Sequence, residues 1–184
     1  QAVAEVLFGA VNPSGKLPLT VARSVGQLRM IYNHKPAAYF HKYAEEKKTP
    51  LYPFGFGLSY TNYKYSAPSL SNNTLNKKNE ITVTVEITNT GAVDGEEIAQ
   101  LYIRDNVSSA TRAVKELKGY KRVALQAGET KKVTFLLNAE SLAFYDINMV
   151  YCVEPGEFTI MTGASSNSND LKKVVLTINN KIEL

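Results

Sequence analysis

Ile81-Thr-Val-Thr-Val-Glu-Ile-Thr-Asn-Thr-Gly91 alternates apolar and polar side chains as far as Ile87 and then turns to residues that bend the chain. Successive side chains of a strand point to opposite faces, so Ile81, Val83, Val85 and Ile87 predict a buried face and Thr82, Thr84 and Glu86 a wetter one. The same grammar runs on towards the C-terminus. Ala99, Leu101 and Ile103 alternate after Asp94-Gly95, Val133, Phe135 and Leu137 after Gln126-Ala-Gly-Glu129, Phe158 and Ile160 after Glu154-Pro-Gly-Glu157, and Val174, Leu176 and Ile178 near the end. Glycine, proline, asparagine and aspartate at the junctions supply the φ values and local hydrogen bonds that turns need. With Tyr63–Tyr65 and Leu117–Leu125 there are about seven or eight short strands and little helix, which predicts a mainly β fold: an antiparallel sandwich of immunoglobulin or fibronectin type III kind over residues 63–184. A single cysteine and no tryptophan exclude the Cys…Trp…Cys core of antibody domains.

Upstream of the strands lies Leu51-Tyr-Pro-Phe-Gly-Phe-Gly-Leu-Ser-Tyr60. Pro53 fixes its own φ and pushes Tyr52 towards an extended shape, while Gly55 and Gly57 permit turns closed to other residues. Large apolar rings beside this freedom predict a packed, rigid connector over 51–62, anchored by Tyr52, Phe54, Phe56 and Tyr60 as interdomain packing residues. Residues 1–50 read differently. Ala2, Val3, Val6 and Leu7 recur at helical spacing up to Gly9; Asn12-Pro-Ser-Gly15 is turn chemistry; Lys16–Val21 is a short extended piece that Pro18 confines to an edge or a strand start. Residues 22–50 carry no clean period and include Glu45-Glu-Lys-Lys48. Long structureless loops inside a compact domain are uncommon, so residues 1–50 are expected to be the tail of a larger α/β domain, with further chain and any targeting signal upstream of Gln1.

Composition narrows the partners. The 184 residues carry 21 basic and 17 acidic side chains, a net +4, but the two signs are interspersed and no basic stripe with interleaved aromatics emerges, which argues against nucleic acid. No apolar run approaches the ~18 residues of a membrane span. Cys152 cannot form an internal bridge and reads as a small buried hydrophobe.

Read together, Val6-Leu-Phe-Gly-Ala-Val-Asn-Pro-Ser-Gly-Lys-Leu-Pro-Leu-Thr20, Arg23-Ser-Val-Gly-Gln27, Tyr32-Asn-His-Lys-Pro36 and Leu51–Tyr60 resemble the C-terminal region of glycoside hydrolase family 3, which includes β-glucosidases and β-xylosidases. Gly95-Glu-Glu97, Gln100-Leu-Tyr102, Lys115-Glu-Leu-Lys-Gly119, Gly128-Glu129, Val133-Thr-Phe135 and Glu154-Pro-Gly-Glu-Phe158 resemble the fibronectin type III-like domain that closes many of these enzymes. Two positions depart from the pattern: Ala113 stands where a proline usually follows Arg112, and Tyr43-Ala-Glu45 where Tyr-x-Asp is expected. The resemblance implies a retaining enzyme whose aspartate nucleophile and glutamate acid/base both lie upstream, on a barrel and an α/β domain that would be this chain's partners. It implies no cofactor, and a periplasmic or secreted location. It also implies that the loop holding Tyr39, Phe40, His41, Tyr43 and Glu45 forms the rim of a substrate cleft.

The residues themselves supply no catalytic set. Retaining hydrolysis needs two carboxyl groups about 5–5.5 Å apart. Glu96 and Glu97 are neighbours on a predicted strand and point to opposite faces; Glu45 and Glu46 sit among lysines as a solvated cluster. His34 and His41 lack further ligands at metal-binding spacing, and Ser59 lies outside a nucleophile elbow. The rings of Tyr32, Tyr39, Phe40 and Tyr43 could stack on a sugar or pack into a core. Asn72-Asn-Thr74 and Asn106-Val-Ser108 are glycosylation sequons. The expectation is therefore a non-catalytic C-terminal part of a family 3 β-glycosidase that clamps the catalytic domains. The alternative is an independent carbohydrate-binding or adhesive module, with an oligosaccharide as its partner.

Overall fold

The computed structural model describes residues 1–27, 30–36 and 47–184. A short helix, α1 (Ala2–Leu7), opens the chain. The strands follow as β1 (Tyr63–Tyr65), β2 (Ser69–Leu70), β3 (Ile81–Asn89), β4 (Gly95–Asp105), β5 (Glu116–Leu125) and β6 (Thr130–Leu137). After the helical turn α2 (Ala139–Leu142) come β7 (Phe144–Tyr145), β8 (Tyr151–Val153), β9 (Gly156–Gly163), β10 (Lys172–Ile178) and β11 (Ile182–Glu183). All pairings are antiparallel. One sheet sets β1, β2 and β6 against β3, a second runs β10-β9-β4-β5, and β11-β8-β7 form a small third. The fold is the mainly β sandwich that the alternating runs predict, with the short β2, β7, β8 and β11 and the turn α2 added to it.

The predicted apolar faces meet in one core. Ile81, Val83, Val85 and Ile87 of β3 pack with Val133, Phe135 and Leu137 of β6, and opposite them stand Leu101, Ile103, Phe158, Ile160 and Leu176 of the second sheet. Each fully buried aliphatic or aromatic side chain contributes about 1.5–3 kcal/mol through loss of apolar contact with water, so this layer holds the sandwich together. Asn138 caps α2, accepting a hydrogen bond from the Ser141 amide at 3.0 Å while the Ser141 hydroxyl reaches back to the Asn138 amide. That capping box sets a turn too short for helical periodicity to reveal.

Beside it, Arg112 binds Asp105 at 3.2 Å, Glu116 at 2.9 Å and the Leu142 carbonyl at 2.7 Å, with its guanidinium 4.7 Å from the centre of the Phe144 ring. Burial pushes the Asp105 carboxyl up despite the opposing pull of Arg112.

The β7–β8 loop is built around Asp146. Its carboxylate accepts from Lys181 Nζ, the Val150 amide and the Asn148 amide, each at 2.9 Å, and these bonds, Lys181 first, hold its pKa down to about 2. A carboxyl depressed in the folded state stabilises the fold above the ordinary aspartate pKa of about 4, and that contribution is lost as pH falls towards 2. Asp146→Asn is therefore expected to flatten the fall in melting temperature between about pH 4 and pH 2; an unchanged acid limb would refute this role.

Candidate functional site

The second sheet is buried on both faces along β4. Ala99, Leu101 and Ile103 face the sandwich core, yet Gln100 and Tyr102, on the opposite face, are only 3% and 0% exposed. The simple alternation read from the sequence is corrected here, because Tyr32, Phe54 and Gly55 cover the outer face. Their extended piece pairs with the connector as a ribbon: Leu17 N–H donates to Phe56 O and Gly55 N–H to Leu17 O, both at 2.8 Å, and Val21 N–H donates to Tyr52 O at 2.8 Å. Pro18, which has no N–H to give, is exposed.

The four connector rings take different places. Phe54 stacks on Tyr32 with centroids 4.3 Å apart, and the Tyr32 ring meets Tyr102 edge-on at 5.8 Å. Together they cover a second apolar cluster of Tyr102, Met161 and Leu171, with Leu117 beside it. Tyr52 and Phe56 instead stack on each other at 4.9 Å, and the Tyr60 hydroxyl donates to the Val6 carbonyl of α1 at 2.6 Å. Tyr32, a candidate sugar platform by composition, has its ring engaged in this packing. The cleft-rim candidates Tyr39, Phe40, His41, Tyr43 and Glu45 lie outside the described residues.

Polar contacts fix the register of the two parts. Gln100 Nε2 donates to Gly55 O at 3.1 Å and to Ala164 O at 2.7 Å, and its Oε1 accepts from the Tyr102 hydroxyl. Gly55 has φ +77°, and a Cβ there would overlap the Gln100 side chain. Gly55→Ala thus combines left-handed strain with a clash and is expected to cost about 2–3 kcal/mol; urea unfolding measures this, and a loss under about 0.5 kcal/mol would sink the assignment. Asn12 joins three segments, donating to Asp94 O at 2.9 Å and accepting from Ser59 Oγ and Tyr60 N, each at 2.9 Å.

Glu97, 2% exposed, receives Lys16 Nζ at 3.1 and 3.2 Å and the Tyr65 hydroxyl at 2.8 Å. Burial, then the adjacent Glu97 charge, pushes the Tyr65 phenol well above its ordinary value. Glu96 turns elsewhere, to Arg122 and, at 3.4 Å, Ser14. These two carboxylates are committed to different cations, and Asp105 and Glu116 share Arg112. Among the described residues no group of three or more His, Cys, Asp or Glu side chains could hold a metal ion.

Glu97, Gln100, Tyr102, Lys16 and Asn12 were not singled out as site residues by sequence reasoning. A signal existed: Ile98-Ala-Gln-Leu-Tyr-Ile103 is nearly continuous in apolar character, the pattern of a strand covered on both sides.

This geometry, a two-layer β structure locked to a preceding segment, has close counterparts. Residues 97–166 match the fibronectin type III-like domain and residues 1–60 the glycosyl hydrolase family 3 C-terminal domain. The chain is 48% identical over 180 residues to a β-xylosidase of Formosa agariphila, covering 96% of this chain and 25% of that protein. It is 43% identical to a periplasmic β-glucosidase of Salmonella typhimurium, covering 90% and 23%. Among solved structures, a β-glucosidase from Erythrobacter marinus superposes with a TM-score of 0.90 at 43% identity, over 96% of this chain and 23% of that one. A β-glucosidase from Listeria innocua, in complex with glucose, gives 0.88 at 35% identity over 98% and 26%.

The sandwich is thus a fibronectin type III-like domain. The chain belongs to glycoside hydrolase family 3, and it corresponds to the C-terminal part of that family's β-glucosidases and β-xylosidases, spanning about a quarter of the length of these relatives.

Proposed function

We propose that this chain is the non-catalytic C-terminal part of a retaining family 3 β-glycosidase acting on terminal β-D-glucosides or β-D-xylosides, and that its sandwich clamps the catalytic domains. In this reading residues 1–50 contribute to the α/β domain of a longer protein, 51–62 cross between domains, and 63–184 form the clamp. The observation that carries it is the two-sidedness of residues 1–60. One side is fixed to the sandwich through Phe54, Tyr32 and the Lys16–Glu97 pair. The other leaves large apolar side chains in solvent: Val3, Leu7, Leu19 and Leu58 are each more than half exposed, Phe8 is 90% exposed and Val25 96%. α1 has no buried residue. Large apolar side chains left in solvent in this number point to contact with more protein, and the rest of an α/β domain would cover them.

The test is hydrolysis of aryl β-glucosides and β-xylosides by the 184-residue chain and by the same chain joined to the upstream domains. Turnover is expected only from the joined protein. Hydrolysis by the chain alone would overturn the reading, as would calorimetric heat from binding of cello- or xylo-oligosaccharides to it.

A further inference from the structure

The outer face of the β10-β9-β4-β5 sheet carries three cations beside the patch that Tyr32 and Phe54 cover. Arg104 lies opposite Thr159 across β4–β9, and Lys173 lies opposite Met161, itself the partner of Tyr102. Ile103 faces Glu116 in the β4–β5 ladder, so Lys115, one residue before β5, continues that ladder across from Arg104. Like charges facing each other across a ladder repel. Lys115 is also buried, 8% exposed, and among the described residues its ammonium donates only to neutral oxygens, Ser166 O at 2.7 Å and Ser168 Oγ at 2.6 Å. An ammonium has three N–H donors, so one is left over by the described residues.

No ion pair involves Arg104, Lys115 or Lys173 among the described residues. The acids on the adjoining elements are Glu157, two residues along β9 from Thr159, and Asp170, whose carboxylate accepts from Asn167 at 2.8 Å. Burial first, then the charges of Lys173 and Arg104, pull the Lys115 amine down to about 8. A buried cation with no counter-charge among the described residues, and with two further cations near enough to act on it, is an expensive arrangement, and the domain-clamping role uses none of the three.

We infer that Arg104, Lys115 and Lys173 form a binding site for an oxyanion, either a free phosphate or sulfate or a carboxylate carried on an acidic sugar. The guanidinium fork of Arg104 suits two oxygens of such a group. The remaining Lys115 N–H supplies a directed donor, and Lys173 adds a further positive charge. This site is independent of the clamp, and its failure would leave that reading intact.

Amide chemical shifts of the 184-residue chain, followed during titration with phosphate, sulfate and glucuronate in low-salt buffer, test it. Saturable shifts are expected at residues 104, 115, 159, 166–168 and 173, weakening as ionic strength rises. Arg104→Gln and Lys173→Gln, both at exposed positions that should leave the fold intact, are each expected to weaken binding about tenfold; Lys115→Met should abolish it. Phosphate and sulfate binding without glucuronate would assign the site to free oxyanions, and glucuronate binding would assign it to a sugar-borne carboxylate. The inference fails if no ligand gives saturable shifts at tens of millimolar, or if binding persists undiminished in the R104Q/K173Q double variant.

Discussion

Glu97→Ala is expected to destabilise the chain by about 3–5 kcal/mol, the usual cost of removing one partner from a buried ion pair. The side chains of Lys16 and Glu97 are only 13% and 3% exposed. With the carboxylate gone, the lysine is left without its counter-charge, and the Tyr65 hydroxyl loses its acceptor. Lys16→Met should be costly too, because it leaves a carboxylate 2% exposed with, among the described residues, only the Tyr65 phenol to solvate it. Replacing both residues by methionine should recover much of the loss, since neither charge is then stranded. Urea unfolding of the two single variants and the double variant gives the coupling energy directly. A loss below about 1 kcal/mol in Glu97→Ala would mean that the pair behaves as a surface contact and does not join the two parts of the chain.

Tyr102→Ala should cost a comparable amount, about 3–5 kcal/mol, by the arithmetic of a large aromatic removed from a packed site. Tyr102 is fully buried beneath Tyr32 and Phe54, meeting Tyr32 edge-on and packing with Met161 and Leu171. Its hydroxyl also satisfies Gln100 Oε1. Tyr102→Phe separates the two contributions: it keeps the ring and removes the hydrogen bond, for about 1–2 kcal/mol. The difference between the variants reports the packing of Phe54 and Tyr32 onto the sheet. If alanine and phenylalanine variants proved equally stable, the ring would not be what joins the layers, and the second apolar cluster would have to be reassigned.

Much of the sandwich was legible because strands with one wet face announce themselves. Ile81 to Ile87 alternate cleanly, and Val133, Phe135 and Leu137 keep the same period although the intervening Leu136 is apolar and exposed. Periodicity is a weaker guide where a strand has two covered faces, because Gln100 is polar and buried for a reason that lies 45 residues away, at the Gly55 carbonyl. The same holds for Lys16 and Glu97, separated by 81 residues. Local pattern says nothing about such pairings, since each residue alone looks like an ordinary surface charge. The segments β7, β8 and β11 are two or three residues long, too short to establish a period, and α2 is one turn fixed by its cap. Rings and glycines predict a packed connector, but the structure divides its rings: Phe54 stacks on Tyr32, Phe56 on Tyr52, and Tyr52 and Tyr60 are 41% and 50% exposed, a division that depends on which way each side chain turns.

The ribbon that joins Leu17 and Val21 to Phe56 and Tyr52, with Asn12 reaching across to Asp94, bears on how such proteins could be recombined. A chimera cut at the start of β1 would sever Gln100, Tyr102 and Glu97 from the partners they were shaped against. These contacts survive an exchange only if the sandwich travels together with the segment that carries Asn12, Lys16, Leu17, Val21, Tyr32 and Phe54.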